Sequence, residues 1–506
     1  MNARLSTTFL WDIRLQVRNG FYYAAAAVAV LTILVLRLLP AQNLAWLLPV
    51  MIVNNLIVNG FYFVSGLVLL EKSKGSIEAQ TVTPLRGGEY LAAKVGTLAF
   101  LSLLENVLIT MAVVGVDFRP DLLIAGIVFG AAFFTLAGFV IVARYDAINT
   151  FLMPSVGYLL LLALPLLPYF GFGGGPLIQA LLLLHPLQPI LVLLQAAVEA
   201  GAPTLTVVYG LIAGAVWVIV MAAWASRTYR RFVVDKVSRT DLQQQQVRKH
   251  TARRLDINSR LVRKLGALRS LGPIDAHSIG RDSLLRWMLF APFLMALAIR
   301  FVLPALLDVA AQWLEIDLGV YFAPLMGYMV LLIVPYFWGA IIGFLLLDQR
   351  DEQTLTALLV TPLSLRAYLG YRLLAPAIIA ALTTLLVMPI TGLFDLPWWG
   401  RPVLALTFAP FAPLAALALA ALAQNKVQGL AMMKAAGIVL LPPLLAYFLP
   451  PLWQIPAALA PTWWMAQTLW QMETAGPWWV FCAGGLLYQA AILLWLVRRF
   501  DHVMHR

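Results

Sequence analysis

Charge is scarce in this 506-residue chain: 11% of its residues are Asp, Glu, Lys or Arg, against 62% hydrophobic, with a mean hydropathy of +0.87. A soluble domain carries roughly 25% charged residues. So few charges cannot clothe a globular surface, and lipid must form part of the solvent. Cysteine is almost absent. Cys482 stands alone in an apolar run, which excludes an intramolecular disulfide and a cysteine metal cluster. The five histidines include no HExxH pair, so zinc-hydrolase chemistry has no ligands. GxxxxGK[ST] is missing too, and with it a phosphate-cradling loop; the GFGGG run at 171–175 lacks the lysine and reads as a turn. Large outer loops and paired acids are also lacking, so a membrane-bound transferase, or any enzyme, is not expected.

Long apolar runs are what the chain has. In the first half they fall at about 20–39, 45–70, 91–115, 122–143, 150–170 and 204–226. In the second they fall at about 284–307, 319–347, 368–392, 402–423, 429–449 and 477–497. The fold class expected is an all-α polytopic membrane protein of about twelve spans. The first run is too long for a signal-peptide core and reads as a span. With both termini inside, the cytoplasmic ends collect Lys72, Lys74, Arg86, Lys94, Arg144, Arg350, Arg366, Arg372, Lys426, Lys434, Arg498 and Arg499. The outer ends hold only Arg37, Arg119, Arg300 and Arg401, beside several acids. That bias sets the orientation in a bacterial-type inner membrane. Residues 227–282 hold fourteen Lys/Arg against five Asp, so most of the net +12 sits in one cytoplasmic linker. Orientation explains that charge without nucleic acid as a partner. Leu255, Leu261, Val262, Leu265 and Leu268 give the linker an amphipathic, lipid-facing helix.

The two halves repeat each other. LLEKSKGSIEAQTVTPLRGGEYLAAK (69–94) answers LLLDQRDEQTLTALLVTPLSLRAYLGYR (345–372): a charged stretch, then V-T-P-L, then a Tyr six residues beyond the Pro. The units expected are 1–226 and 283–506, joined by the linker 227–282. An even number of spans in each makes the repeat parallel rather than inverted. HPLQPILVLLQ (185–195) and APTWWMAQTLW (460–470) are too short to cross and return, and read as re-entrant or interfacial outer helices. At the N-terminus Phe9, Leu10, Ile13 and Val17 share a helical face while Asp12, Arg14 and Arg18 are expected to stay wet, an amphipathic helix on the inner leaflet. Residues 282–287 repeat this less clearly.

The repeated inner loop, an acid, Gly-(Ser/Thr), a further acid, then T-P-L and an aromatic, resembles the first cytoplasmic loop of type-2 ATP-binding-cassette (ABC) exporter permeases. The six-span unit, the amphipathic entry helix and the outer segment before the last span are similar to that family as well. Glu71, Gly75, Ser76, Glu78, Thr83 and Pro84 match in the first half; Asp351, Glu352, Thr354, Thr361 and Pro362 match in the second, where Gln353 replaces the glycine and Thr356 the second acid. The resemblance implies that these loops couple the chain to a separate ATPase subunit, two copies of which bind ATP and Mg. It also implies outward transport and a path lined by the second and fifth spans of each unit. No cofactor is expected on this chain itself.

For the path, Asn55, Asn59, Tyr62 and Gly66 follow i, i+4, i+7, i+11 spacing and stripe one face of the second span. Amides in hydrocarbon face either a cavity or another helix as interhelical glue. Tyr336, Phe337 and Trp338 make the equivalent wall aromatic, so an amphiphilic or drug-like substrate, lipids included, is expected. Glu105 is an intramembrane acid, serving either as a proton relay or as a structural partner of Arg37 or Asn106. The rival reading is a proton-coupled carrier of the major facilitator type. Its characteristic GxxxDRxGRR-like loop is missing after the second span, and few charges lie mid-span to carry protons.

Overall fold

Backbone groups in hydrocarbon have no water to bond, so apolar segments must satisfy them within a helix. The computed structural model follows that rule: among the described residues every regular element is helical. It describes residues 2–37, 44–73, 75, 86–146, 148–170, 175–199, 201–231, parts of 272–307, 319–351, 365–423, 428–429, 432–433 and 437–504. The chain divides into two compact units, Met1–Thr251 and Ala252–Arg506.

The first unit opens with helices α1 (Asn2–Arg18) and α2 (Phe21–Arg37), bent by 64° at Gly20, whose φ of +81° suits a residue without a Cβ. Then come α3 (Trp46–Lys72), α4 (Gly87–Val114) and α5 (Pro120–Val142). They are followed by α6 (Ile148–Leu162), α7 (Pro176–Leu182), α8 (Leu187–Val198) and α9 (Thr204–Arg231). Local sequence sets several ends. Glu89 reaches back to accept the Arg86 N–H (2.9 Å) and opens α4, while Gly115 at φ +80° closes it. Pro120 sits in the first turn of α5, where no amide donor is needed.

The second unit holds α10 (Ser283–Phe301), α11 (Gly319–Asp351), α12 (Leu365–Thr391), α13 (Gly400–Leu422), α14 (Gly437–Tyr447), α15 (Pro461–Glu473) and α16 (Trp478–Met504). In each unit the second and fourth spans cross at glycine. A Cβ on Gly60 or Gly138 would lie 2.8 Å from Phe134 Cβ or 2.7 Å from Phe61 O, and one on Gly339 would lie 2.5 Å from Ala412 O.

Eight described helices are long and apolar enough to span a bilayer, or up to ten if each bent pair counts as one. The expectation of about twelve concerned the whole chain, whereas this count covers the described residues alone. The fifth run of each half explains part of the difference. Helix α6 contains Pro154 and ends just before the bend around Pro165, and the described part of the other is α14, with adjacent Pro442 and Pro443. The described helices in these runs are 15 and 11 residues long, short of a span. The outer segments are short helices, as their length requires: α7 and α8 meet at 94°, and α15 follows a 3-10 turn at Pro451–Leu459.

The entry helix departs from expectation at Asp12, which is buried instead of wet, while Arg14 and Arg18 are exposed as expected. Asp12, Gln16 and Asn19 are buried, whereas Leu10, Trp11 and Val17 are exposed beside Arg14 and Arg18. The reason lies in α4, which offers Lys94 and Thr97 to the polar side of α1: Gln16 Nε2 donates to Thr97 Oγ1 at 2.8 Å. The apolar side is thereby left for lipid.

Candidate functional site

Where the first unit meets its repeated loop, α3 finishes with Glu71 and Lys72, and Gly75 at φ +66° stops the helix. The glycine of the loop pattern is thus a helix stop. Glu71 is only 6% exposed. Tyr90 Oη donates to its Oε2 (2.7 Å), and Lys94 Nζ binds its Oε1 and also Asp12 Oδ1 (2.7 Å). Lys94, four residues after Tyr90, lies one turn further along the same face of α4. Burial pushes the Asp12 carboxyl above its ordinary range, while Lys94 pulls the other way. Lys72 turns to the fourth span: it donates to the carbonyls of Ala143 (3.0 Å) and Tyr145 (2.5 Å), just past the C-terminus of α5. A cation there meets the unpaired carbonyls and the negative end of the helix dipole.

The second unit builds the same arrangement from different residues. Tyr368 Oη donates to Gln349 Oε1 (2.5 Å), and Arg372 Nε donates to Tyr368 Oη (3.1 Å). Arg372 Nη1 donates to Asp275 Oδ2 at 2.7 Å, an atom that Tyr371 also reaches at 3.0 Å. One interval in the numbering carries Glu71 to Gln349, Tyr90 to Tyr368 and Lys94 to Arg372. Asp275 takes the place of Asp12, ahead of the 282–287 stretch expected to serve as the second entry helix. The first unit has two acids around one lysine, the second one acid around one arginine. Sequence reading marked these cations only as inner charges; their identical i, i+4 relation to the repeated tyrosines was the available signal.

Of the other loop residues, Asp351 closes α11, while Ser76, Glu78, Thr83, Pro84, Glu352, Thr354, Thr361 and Pro362 lie outside the described residues, as does the linker's amphipathic stretch.

Deeper in the membrane, Asn55 and Asn59 do lie on one face of α3, and that face meets α4. Asn55 Nδ2 donates to Asn106 Oδ1 (3.2 Å), and Asn59 Nδ2 donates to Glu105 Oε2. Asn55, Asn59, Glu105 and Asn106 are all at most 3% exposed, so this seam joins helices in the manner of interhelical glue. Glu105 therefore meets Asn59 rather than Arg37, whose Nε donates to Ala112 O (2.9 Å). Asn59 lies in a π-helical turn, Ile57–Tyr62. One extra residue per turn there aims Asn59 at α4 while Gly60 and Phe61 pack against α5. Sequence spacing at 3.6 residues per turn could not show this shift. Tyr62 is half-buried and accepts from Ser155 Oγ of α6 at 3.4 Å.

In the second unit Thr383 stands where Glu105 does, and Trp338 Nε1 donates to its Oγ1 at 3.0 Å. Tyr336 donates to Met433 O at 3.3 Å, and Tyr336 and Phe337 are half-buried. The two walls thus differ: amide and acid in one unit, aromatic in the other.

Comparison with known proteins fits two unlike halves. Residues 3–237 match the fluoroquinolones export permease protein family, and residues 275–497 match the Rv2686c-like fluoroquinolones export permease family. Fluoroquinolones export permease protein Rv2687c of Mycobacterium tuberculosis is 33% identical over 198 residues, covering 39% of this chain and 82% of the relative. Rv2686c of the same organism is 30% identical over 242 residues, covering 46% of this chain and 94% of the relative. The chain belongs to the fluoroquinolones export permease family. No solved structure matches it. The permease is a multi-pass membrane protein, and each of its halves is matched by a separate family description.

Proposed function

We propose that this chain is the membrane part of an ATP-driven exporter moving an amphiphilic, drug-like molecule outward, with a fluoroquinolone as first candidate. The duplication carries the reading: two halves each match an export permease family, and each has a polar clamp at the root of its inner loop. One chain then supplies both membrane halves, and two copies of a separate ABC ATPase hold ATP and Mg. Closure of the ATPase pair pushes the loops beginning at Gly75 and Asp351. Those loops dock, whereas buried Glu71 fixes the root. Half-buried Tyr62, Tyr336 and Phe337 meet the substrate, while Asn55, Asn59 and Trp338 hold the walls. Both termini and the linker lie in the cytoplasm, in keeping with the charge bias.

Everted vesicles containing the chain and its ATPase test this. Uptake of a fluorescent fluoroquinolone should require ATP, survive a protonophore and survive Glu105→Gln. Uptake by the chain alone on an imposed proton gradient, abolished by Glu105→Gln, would establish the proton-coupled carrier instead.

A further inference from the structure

An inner loop transmits force only if its root is stiff. A loop whose two ends move independently absorbs a push by bending. In the first unit both ends of the 74–86 segment are tied together, since Glu71 precedes it and Tyr90 and Lys94 follow it. The tie does not stop at the loop. Lys94 brings in α1 through Asp12, and Lys72 brings in the end of α5. Four helices therefore meet in one cluster of polar contacts. The second unit ties the two ends of its own loop by Tyr368 and Gln349, and ties α12 to the preceding chain by Arg372 and Asp275.

We infer that Lys94 and Arg372 are positioning residues for energy coupling, each clamping the root of an inner loop to the segment that enters the membrane ahead of it. The inference rests on the ATP-driven reading above. Buried charge is costly and an apolar contact would hold helices together at less cost, so stability alone does not account for two such clamps. What a directional charged contact adds is a fixed orientation between helices. The halves also differ in strength. The first clamp is ionic on both sides of its cation, while the second closes its loop through a neutral Tyr–Gln bond. Asp12 Oδ2 and Arg372 Nη2 are buried without a hydrogen-bond partner among the described residues, one a surplus acceptor and the other a surplus donor. The first unit is accordingly the stiffer lever.

The test is the ratio of drug transported to ATP hydrolysed by the reconstituted complex of full chain and ATPase. Lys94→Met should leave ATPase co-purification and hydrolysis in place while the ratio falls about fivefold to tenfold. Lys94→Arg should restore it, and Glu71→Gln, which copies the second unit, should retain most of it. A ratio unchanged in Lys94→Met overturns the inference, as does a parallel fall of hydrolysis and transport. Should Lys94→Met fail to fold, Tyr90→Phe and Tyr368→Phe remove one oxygen each from an otherwise intact root. The ratio should fall in both, more in Tyr368→Phe, because the Lys94–Glu71 pair still ties the first loop after Tyr90→Phe, and an unchanged ratio overturns the clamp. A wild-type complex without ATP-driven transport removes the functional reading and the clamp together, whereas tight wild-type coupling with unaffected variants removes the clamp alone.

Discussion

Gly138→Ala adds one methyl group where the second and fourth spans of the first unit cross. Its carbon would stand 2.7 Å from Phe61 O, 2.8 Å from Val64 Cγ1 and 2.9 Å from Phe61 Cα. Two of those atoms are backbone and cannot rotate away, so α3 and α5 must separate by about half an ångström or more to reach ordinary contact. A gap of that size forfeits about a quarter to a half of each affected dispersion contact along the crossing. Overpacking of this kind costs about 1–3 kcal/mol, against roughly 0.5–1 kcal/mol regained because alanine is the better helix former. A net loss of about 1–2 kcal/mol is expected, which is up to about thirtyfold in the unfolding equilibrium. Unfolding in mixed micelles, followed by tryptophan fluorescence, would measure it. Gly157→Ala and Gly370→Ala are the controls: both glycines are helical and nothing lies within 4 Å of the added carbon, so stability should hold or rise. Equal stability of Gly138→Ala and the controls would refute close approach as the reason for the glycine.

Two further outcomes follow from the polar contacts. Truncating Asn55 and Asn106 to Ala singly and together should give a coupling energy of about 0.6 kcal/mol, the average for hydrogen bonds between membrane helices; a coupling of zero would remove the interhelical role of the seam. His185, half-buried between α7 and α8, accepts from the Leu187 N–H (3.2 Å) at Nδ1, which leaves Nε2 to donate to Leu161 O (3.1 Å). Burial holds its pKa below the usual histidine value, and protonation at Nδ1 would break the first bond. The unfolded chain then binds more protons just below about pH 6.5, so the outer hairpin's stability is fully present above that pH and declines below it. Hydrogen exchange at Leu187 should quicken as pH falls from 7 to 5, after correction for intrinsic rates, and His185→Gln should flatten that dependence.

How much of this was legible in the sequence depends on the range over which each feature is decided. Hydropathy and composition alone determined the membrane, the helices and the duplication, because lipid leaves an apolar segment no other way to satisfy its backbone. The repeated pattern, with its tyrosine six residues beyond the proline, marked Tyr90 and Tyr368 as equivalent positions, and both bond the end of the preceding long helix. The amide stripe of Asn55 and Asn59 was legible as a face but not as a direction. A π-helical turn and the position of Glu105 on another helix decided what that face meets. The entry helix shows the same limit. Its periodicity gave two faces, and only Lys94 and Thr97 across the bundle decided that the polar one turns inward. Local sequence fixes periods and breaks, since these act over a turn or two. Which buried cation finds which carboxylate is settled by helices that are distant in sequence packing side by side, where an unpaired charge would cost too much to leave.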